Sequence, residues 1–138
     1  MRVIENICLL LGRLLMGTYF ILPGLMKISN YQGTTDAMLA HNVPVTALLL
    51  PVTIVIQVVA GLAIIIGFKG KIAAFLLAGL TLIISIYMHN FWTLPEGMER
   101  GHEIQNFIKN MAIMAGLLVV SNMGTGWLSL DNHQSNKT

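Results

Sequence analysis

A chain of 138 residues that is 55% hydrophobic and only 10% charged cannot cover a globular surface with polar groups, because soluble domains usually have about 25% charged residues. The formal net charge of +2 is small and no basic run occurs, so composition excludes nucleic acid as the expected partner. The mean hydropathy of +0.73 instead predicts a single all-α membrane domain over residues 1–138, embedded in the lipid bilayer as a bundle of four transmembrane helices.

The first predicted span, residues 7–26, reads ICLLLGRLLMGTYFILPGLM and is long enough to cross a bilayer. Arg13 lies inside it, about 9 Å along the helix from Ile7. A cation at this depth is costly in lipid, so we expect Arg13 to face protein or water and to have partners. The apolar stretch is longer than that of a secretory signal peptide and no A-x-A site follows, so we predict that it is not cleaved.

The single cysteine, Cys8, cannot form an internal disulfide, and no Cys/His cluster has metal-ligand spacing. The sequence therefore indicates no metal site. Since Cys8 lies in the apolar run, we expect it to be a small buried hydrophobic residue. At the other end of the first span, Lys27 is interpreted as a helix-end anchor.

The loop after the first span is predicted to contain a short interfacial helix at residues 36–40, on the outer face of the membrane. The second span, residues 44–67, contains two polar or helix-breaking residues. Pro51 should kink the helix and free a carbonyl group, and Gln57 lies near the middle of the span.

Only three residues separate the second span from the third, residues 71–89, so the two must form an antiparallel hairpin. The third span ends at His89, beside an aromatic pair typical of the membrane–water interface. We interpret His89 as an interfacial residue that is also placed to transfer protons.

The fourth span, residues 104–121, is less apolar than the others. Asn106, Lys109 and Asn110 follow the i, i+3, i+4 spacing of one helix face, and we predict that this face turns inward toward Gln57 and the third helix. The tail, residues 122–138, is polar and is expected to be flexible.

An even number of spans places both termini on one side of the membrane. The loops on the side of the termini have four cations and the opposite loops have two, which favours cytoplasmic termini. These cations are Arg2, Lys69, Lys71 and Lys137 on the side of the termini, and Lys27 and Arg100 on the opposite side.

No acid lies inside any predicted span, so buried cations there lack a carboxylate partner. Gln57 is the expected protein partner of Arg13. Buried cations without an acid favour a site for an electron-rich head group such as a quinone carbonyl, an anion or a lipid phosphate. The candidate ligand-binding residues are Arg13, Gln57, His89, Asn106, Lys109 and Asn110.

These residues stand in stretches whose order and spacing resemble the DoxX family of small bacterial membrane proteins, and the resemblance covers residues 9–120. It implies a four-helix protein of the inner membrane. The family is named after a subunit of an archaeal thiosulfate:quinone oxidoreductase, and other members are thought to act beside redox or detoxification proteins. The matching stretches are residues 13–17 (RLLMG), 23–27 (PGLMK) and 41–44 (HNVP), Gln57 with Gly61, residues 89–92 (HNFW), and residues 107–110 (FIKN) leading to Gly116.

The resemblance implies a non-autonomous membrane component of a redox system, with a redox partner protein and a quinone as the candidate cofactor. The chain has Gln57 where many members have Glu, which removes the natural counter-ion for Arg13 and argues against acid–base chemistry at this position.

Two other interpretations remain open. In the first, the chain is a structural or assembly protein without ligand or catalysis, and the polar residues of the spans only fix helix packing. A small exporter or permease would need a homo-oligomer, because the bundle is small. The sequence has no self-sufficient catalytic motif, since no nucleophile stands near a base.

Overall fold

The computed structural model describes the backbone of residues 2–135 and the side chains of residues 2–133, and it confirms the all-α prediction. The structure is 84% helix, and the described residues form no strand. Four helices are long and apolar enough to cross a membrane. They are the first span (Arg2–Ser29), the second span (Thr46–Ile66), the third span (Gly70–Met88) and the fourth span (Met98–Met123).

The first and fourth spans begin earlier than predicted, at Arg2 and Met98 instead of residues 7 and 104. Their first turns are polar and contain Glu5 and Glu99 respectively. A carboxylate near a helix N-terminus interacts favourably with the helix dipole, so the helices continue beyond their apolar stretches into the polar interface. The apolar sequence thus marks the membrane-crossing part of each helix and not its ends.

The bundle has two ends with different coverings. The connection between the second and third spans lies at the end where the first span begins, and we call this the tail end. At the opposite end lies the loop helix, Tyr31–Ala40, which is longer than the predicted segment at residues 36–40. Its buried Met38 packs in one hydrophobic cluster with Leu50 and Ile54 of the second span. We call this the loop-helix end.

The first and second spans approach each other closely through glycines. A Cβ atom on Gly24 would lie 2.8 Å from Cγ2 of Val58, and one on Gly61 would lie 3.0 Å from the carbonyl oxygen of Gly17. Small residues allow such close helix contacts in membranes. These contacts pair Gly17 with Gly61 and Gly24 with the region of Val58.

The third span is the centre of the bundle. Eight of its 19 residues are buried, against four of 28 in the first span and two of 26 in the fourth. Ala74 and Leu77 of the third span are fully buried, as are Ile64 of the second span and Leu117 of the fourth. The first and fourth spans therefore present most of their surface outward, and Cys8 is exposed there instead of buried as expected.

The second span contains a π-helical segment, Ile56–Ala60, downstream of Pro51. The helix continues through Pro51 to Val55 before this segment begins. A π segment fits an extra residue into one turn and rotates the side chains that follow it, and such segments occur frequently at functional sites. Gln57 is the second residue of this segment.

The tail does not follow the prediction of a flexible segment in the part that the structure describes. Gly124 and Gly126 have positive φ angles of 89° and 81°, which turn the chain back toward the bundle. Thr125 and Ser129 are buried against the tail end. A short terminal helix, Leu130–Ser135, follows, and residues 136–138 lie outside the described residues.

Candidate ligand cavity and the buried polar residues

Arg13 is 4% exposed and lies at the tail end of the bundle. Its Nη2 atom donates a hydrogen bond to the carbonyl oxygen of Leu128. Asp131 lies beyond ion-pair distance, but its charge acts on the guanidinium group. Both residues belong to the tail. The Nε and Nη1 atoms have no hydrogen-bond partner among the described residues.

Asp131 connects the tail to the start of the third span. Its Oδ1 atom accepts a hydrogen bond from the backbone N–H of Lys69 at 2.7 Å, and its Oδ2 atom accepts one from Gly70 at 2.9 Å. Its own backbone N–H donates to the carbonyl oxygen of Gly67 at 2.8 Å. A carboxylate on these free N–H groups caps the helix and interacts favourably with its dipole. The acid whose charge acts on Arg13 thus comes from outside the membrane spans.

Gln57 is not the partner of Arg13, and that prediction is wrong. A Cβ atom on Gly24 would lie 3.2 Å from the Cβ atom of Gln57, so Gln57 lies at the level of Gly24. Gly24 is eleven residues beyond Arg13, roughly 16 Å along the first span. Gln57 is 4% exposed, and its Oε1 atom has no hydrogen-bond partner among the described residues.

Asn110 faces the third span, as predicted, and joins three spans. Its Nδ2 atom donates a hydrogen bond to Oγ of Ser85 at 3.0 Å, and its Oδ1 atom accepts one from the hydroxyl of Tyr19 at 3.3 Å. Ser85 in turn donates to the carbonyl oxygen of Thr81 at 2.7 Å. These bonds satisfy the Asn110 amide inside the protein, so Asn110 stabilises the bundle.

Lys109 does not face inward, and this prediction is also wrong. Its side chain is exposed, and Asn106 is half-buried. Neighbouring positions on a helix point about 100° apart, so when Asn110 faces the third span, Lys109 lies on the outer surface.

His89 connects the ends of the third and fourth spans. Its Nδ1 atom lies 2.6 Å from Oε2 of Glu103, and both side chains are about a quarter exposed, at 24% and 27%. The pair lies at the loop-helix end of the bundle. Of the six predicted site residues, His89 alone lines the cavity described next.

A cavity of about 540 Å³ lies between the loop helix, the second span and the third span, and it is open to the outer surface of the bundle, where Phe75 is 66% exposed and Ile83 is 53% exposed. Its wall on the third span extends from Phe75 to His89, roughly 21 Å at the helical rise. Most lining side chains are apolar, and several polar ones gather at the loop-helix end. The polar residues of the lining are Lys27, Thr34, Thr53, Tyr87 and His89.

Lys27 is the cation of this cavity, although the sequence suggested only a helix-end anchor. Its side chain is half-buried. Within residues 2–133 the structure has one ion pair, between His89 and Glu103, so Lys27 has no carboxylate partner there. The cavity thus combines a long apolar wall with an unpaired cation at one end.

The predicted site residues therefore do not form one site. Arg13 lies at the tail end, Gln57 lies near Gly24, and Asn110 belongs to a satisfied hydrogen-bond network. Lys109 lies outside and Asn106 is half-buried. The sequence indicated this cavity only through Lys27 and His89, which stand at the outer ends of two predicted spans.

A family model described as DoxX matches residues 8–90. This chain belongs to the DoxX family. The match covers the first three spans of this DoxX protein, and therefore includes Arg13, Lys27, Gln57 and His89.

Relatives of this DoxX protein match it over nearly its whole length. It is 34% identical to "Inner membrane protein YqjF" of Escherichia coli over 95% of both chains, and 30% identical to "Inner membrane protein YphA" of the same organism over 91% of this chain and 89% of the relative. It is 24% identical to the "Surfeit locus protein 4 homolog" of Drosophila melanogaster over 94% of this chain, but over only 42% of that protein.

No solved structure matches the chain. The four apolar helices and the two Escherichia coli relatives together support a multi-pass protein of the inner membrane.

Proposed function

We propose that this DoxX protein is a non-autonomous membrane component of a redox system that binds a quinone, or a similar lipid-like molecule with an electron-rich head, in the cavity at the loop-helix end. The observation that supports this proposal is the long apolar cavity with the unpaired Lys27 at one end. Ligand sites are typically apolar clefts with a few polar groups that fix orientation. The redox connection rests on the family, which is named after a subunit of an archaeal thiosulfate:quinone oxidoreductase.

The cavity suits an elongated amphipathic ligand. Its volume of about 540 Å³ falls in the range of small-molecule sites, and its wall is long enough for an isoprenoid or acyl tail. The tail would lie along the apolar side chains of the third span. The head would lie at the loop-helix end, where the ammonium group of Lys27 would donate a hydrogen bond to a carbonyl oxygen.

His89 and Glu103 provide a proton path in this proposal. His89 lines the cavity, and its hydrogen bond to Glu103 leads away from the cavity to a side chain that is partly exposed. Reduction of a quinone to a quinol takes up two electrons and two protons. A redox partner protein would supply the electrons, and the His89–Glu103 pair would pass protons between the ligand head and the outer water.

The proposal places both termini in the cytoplasm, on the basis of the loop cations. Arg2, Lys69 and Lys71 lie at the tail end, Lys27 lies at the opposite end, and Lys137 lies outside the described residues. A Cys8→Ser/Ser135→Cys variant, from which the exposed native thiol is removed, should react with an impermeant thiol reagent only in broken cells. Reaction in intact cells would overturn the orientation.

Filling the cavity tests the ligand directly. Gly79 lines the cavity, and a Cβ atom added there meets no atom within 4 Å. Gly79→Leu should therefore fill part of the cavity without a clash and should not lower stability, since Leu is about 0.8 kcal/mol better than Gly in a helix. We expect native mass spectrometry from mild detergent to detect retained quinone or lipid on the parent protein and about a tenfold lower retention on the variant.

Gly12→Leu is the matched control, because Gly12 is also a helical glycine with open space around it but does not line the cavity. The control should retain the ligand as the parent protein does. The proposal fails if the parent protein retains neither quinone nor lipid and added ubiquinone leaves its melting temperature unchanged. Equal retention by all three proteins would place the ligand elsewhere.

A further inference from the structure

A second concave surface lies at the tail end, at the opposite end of the bundle from the polar residues of the proposed quinone site. This groove of about 590 Å³ lies between the start of the third span and the folded tail. We call it the tail groove. Its lining includes Lys69, Lys71, Ile72, Met123, Ser129 and Asn132.

The tail groove has a positive rim. Lys69 and Lys71 both line it, and within residues 2–133 neither lysine has a carboxylate within ion-pair distance. Asp131 also lines the groove, but its two oxygens accept hydrogen bonds from the backbone of Lys69 and Gly70. The charge of Asp131 also acts on Arg13. The groove thus has two lysine charges against one carboxylate, and the Lys69 ammonium lies 5.8 Å from the centroid of the Phe68 ring.

The position of Lys71 is built into the fold. A Cβ atom on Gly124 would lie 3.2 Å from Cε of Lys71, so the lysine stem passes directly over this glycine. The φ angle of 89° at Gly124 also favours glycine. The tail therefore holds the Lys71 side chain against the rim of the groove.

One wall of the tail groove is apolar and faces outward. Ile72 is 60% exposed and Met123 is 79% exposed, and each belongs to a membrane-spanning helix near its end. Trp127 of the tail is 66% exposed, as expected for an aromatic side chain at the membrane interface. The groove thus has cations beside polar groups on one side and lipid-facing apolar side chains on the other.

We infer that the tail groove binds the phosphate head group of an anionic phospholipid, with the lipid chains lying along Ile72 and Met123. Lysine ammonium groups pair with phosphate oxygens, and Asn132 has one amide N–H beyond the one that it donates to the carbonyl oxygen of Trp127. Basic pockets at the ends of transmembrane helices bind anionic lipid heads in this manner. A free phosphate ion shares the head-group chemistry, but it would leave the exposed apolar wall uncovered.

The test uses the purified full chain in mild detergent with added phosphatidylglycerol or phosphatidylcholine. Native mass spectrometry should detect more bound phosphatidylglycerol than phosphatidylcholine, and phosphatidylglycerol should raise the melting temperature more. The Lys69→Gln/Lys71→Gln double variant should lose about tenfold in phosphatidylglycerol retention. Lys109→Gln, which removes an exposed lysine from the fourth span, is the matched control and should retain the lipid.

The Lys71→Gln single variant separates loss of lipid binding from misfolding of the turn. Lys69 has a positive φ angle of 47° in this turn and Lys71 does not, so the single variant leaves the strained position unchanged. This single variant should lose about threefold in retention while its melting temperature without added lipid is unchanged. Equal retention by the parent protein and the double variant would overturn the inference. Stabilisation by millimolar inorganic phosphate equal to that by phosphatidylglycerol would assign the groove to a soluble ion and also overturn it.

Discussion

The two cations of the first span, Arg13 at the tail end and Lys27 at the loop-helix end, have different surroundings. At the tail end, Arg13 is buried and the chain itself supplies a carbonyl oxygen from Leu128 and, beyond ion-pair distance, the charge of Asp131. At the loop-helix end, Lys27 lines a cavity, and the described residues offer it no carboxylate. Both cations lie within the first span, yet only Lys27 has space beside it that the protein does not fill.

This difference separates a structural cation from a candidate binding group. The hydrogen bond from Arg13 to Leu128 links the first span to the tail, although its Nε and Nη1 atoms have no partner among the described residues. Lys27 lies beside the cavity and has no carboxylate partner in that part of the chain. The depth of a charge in the membrane therefore indicates that it needs a partner, and the fold decides whether that partner is protein or ligand.

The largest expected effect comes from breaking the tail end. Asp131→Asn removes a charge that acts on Arg13 from beyond ion-pair distance and weakens the cap on Lys69 and Gly70. We expect the free energy of unfolding to fall by about 1–2 kcal/mol, because a helix cap and its favourable interaction with the helix dipole are lost. Thermal or denaturant unfolding in mild detergent measures this change.

Asp36→Asn is the control for this variant, because Asp36 is exposed and its carboxylate accepts one hydrogen bond, from Nε2 of Gln32 at 2.9 Å. It should change the free energy of unfolding by less than about 0.5 kcal/mol. The double variant Arg13→Met/Asp131→Asn should recover part of the lost stability, since it removes both charges. A loss for Asp131→Asn no larger than for Asp36→Asn would show that Asp131 does not stabilise the tail end.

The helices could be predicted because their signal is local. Each span contains enough consecutive apolar residues to cross a bilayer, and three residues between the second and third spans fix their antiparallel order. The helix ends were predicted less well, since polar turns such as those after Arg2 and Met98 continue a helix as well as apolar ones do. No residue pattern in the sequence predicts the π-helical segment at Ile56–Ala60.

The buried polar partners were harder to predict, for two physical reasons. Arg13 and Leu128 are 115 residues apart, and the tail is too polar to suggest a packed segment. An even number of spans does place Arg13 and the tail at the same end, so Asp131 was a detectable partner. Lys109 was misplaced because lipid and protein interior are both apolar, and hydrophobic periodicity therefore cannot say which helix face is inside.

The smallest expected effect on stability comes from the cation of the cavity. Lys27→Met keeps a side chain of similar length and removes a charge that has no carboxylate partner in the described residues. We expect the free energy of unfolding to stay within about 1 kcal/mol of the parent value, because replacing a poorly compensated buried charge with an apolar side chain is often neutral or stabilising. Retention of quinone or lipid should fall in native mass spectrometry. A loss of stability comparable to that of Asp131→Asn would mean that Lys27, like Arg13, serves the fold, and the contrast between the two ends would disappear.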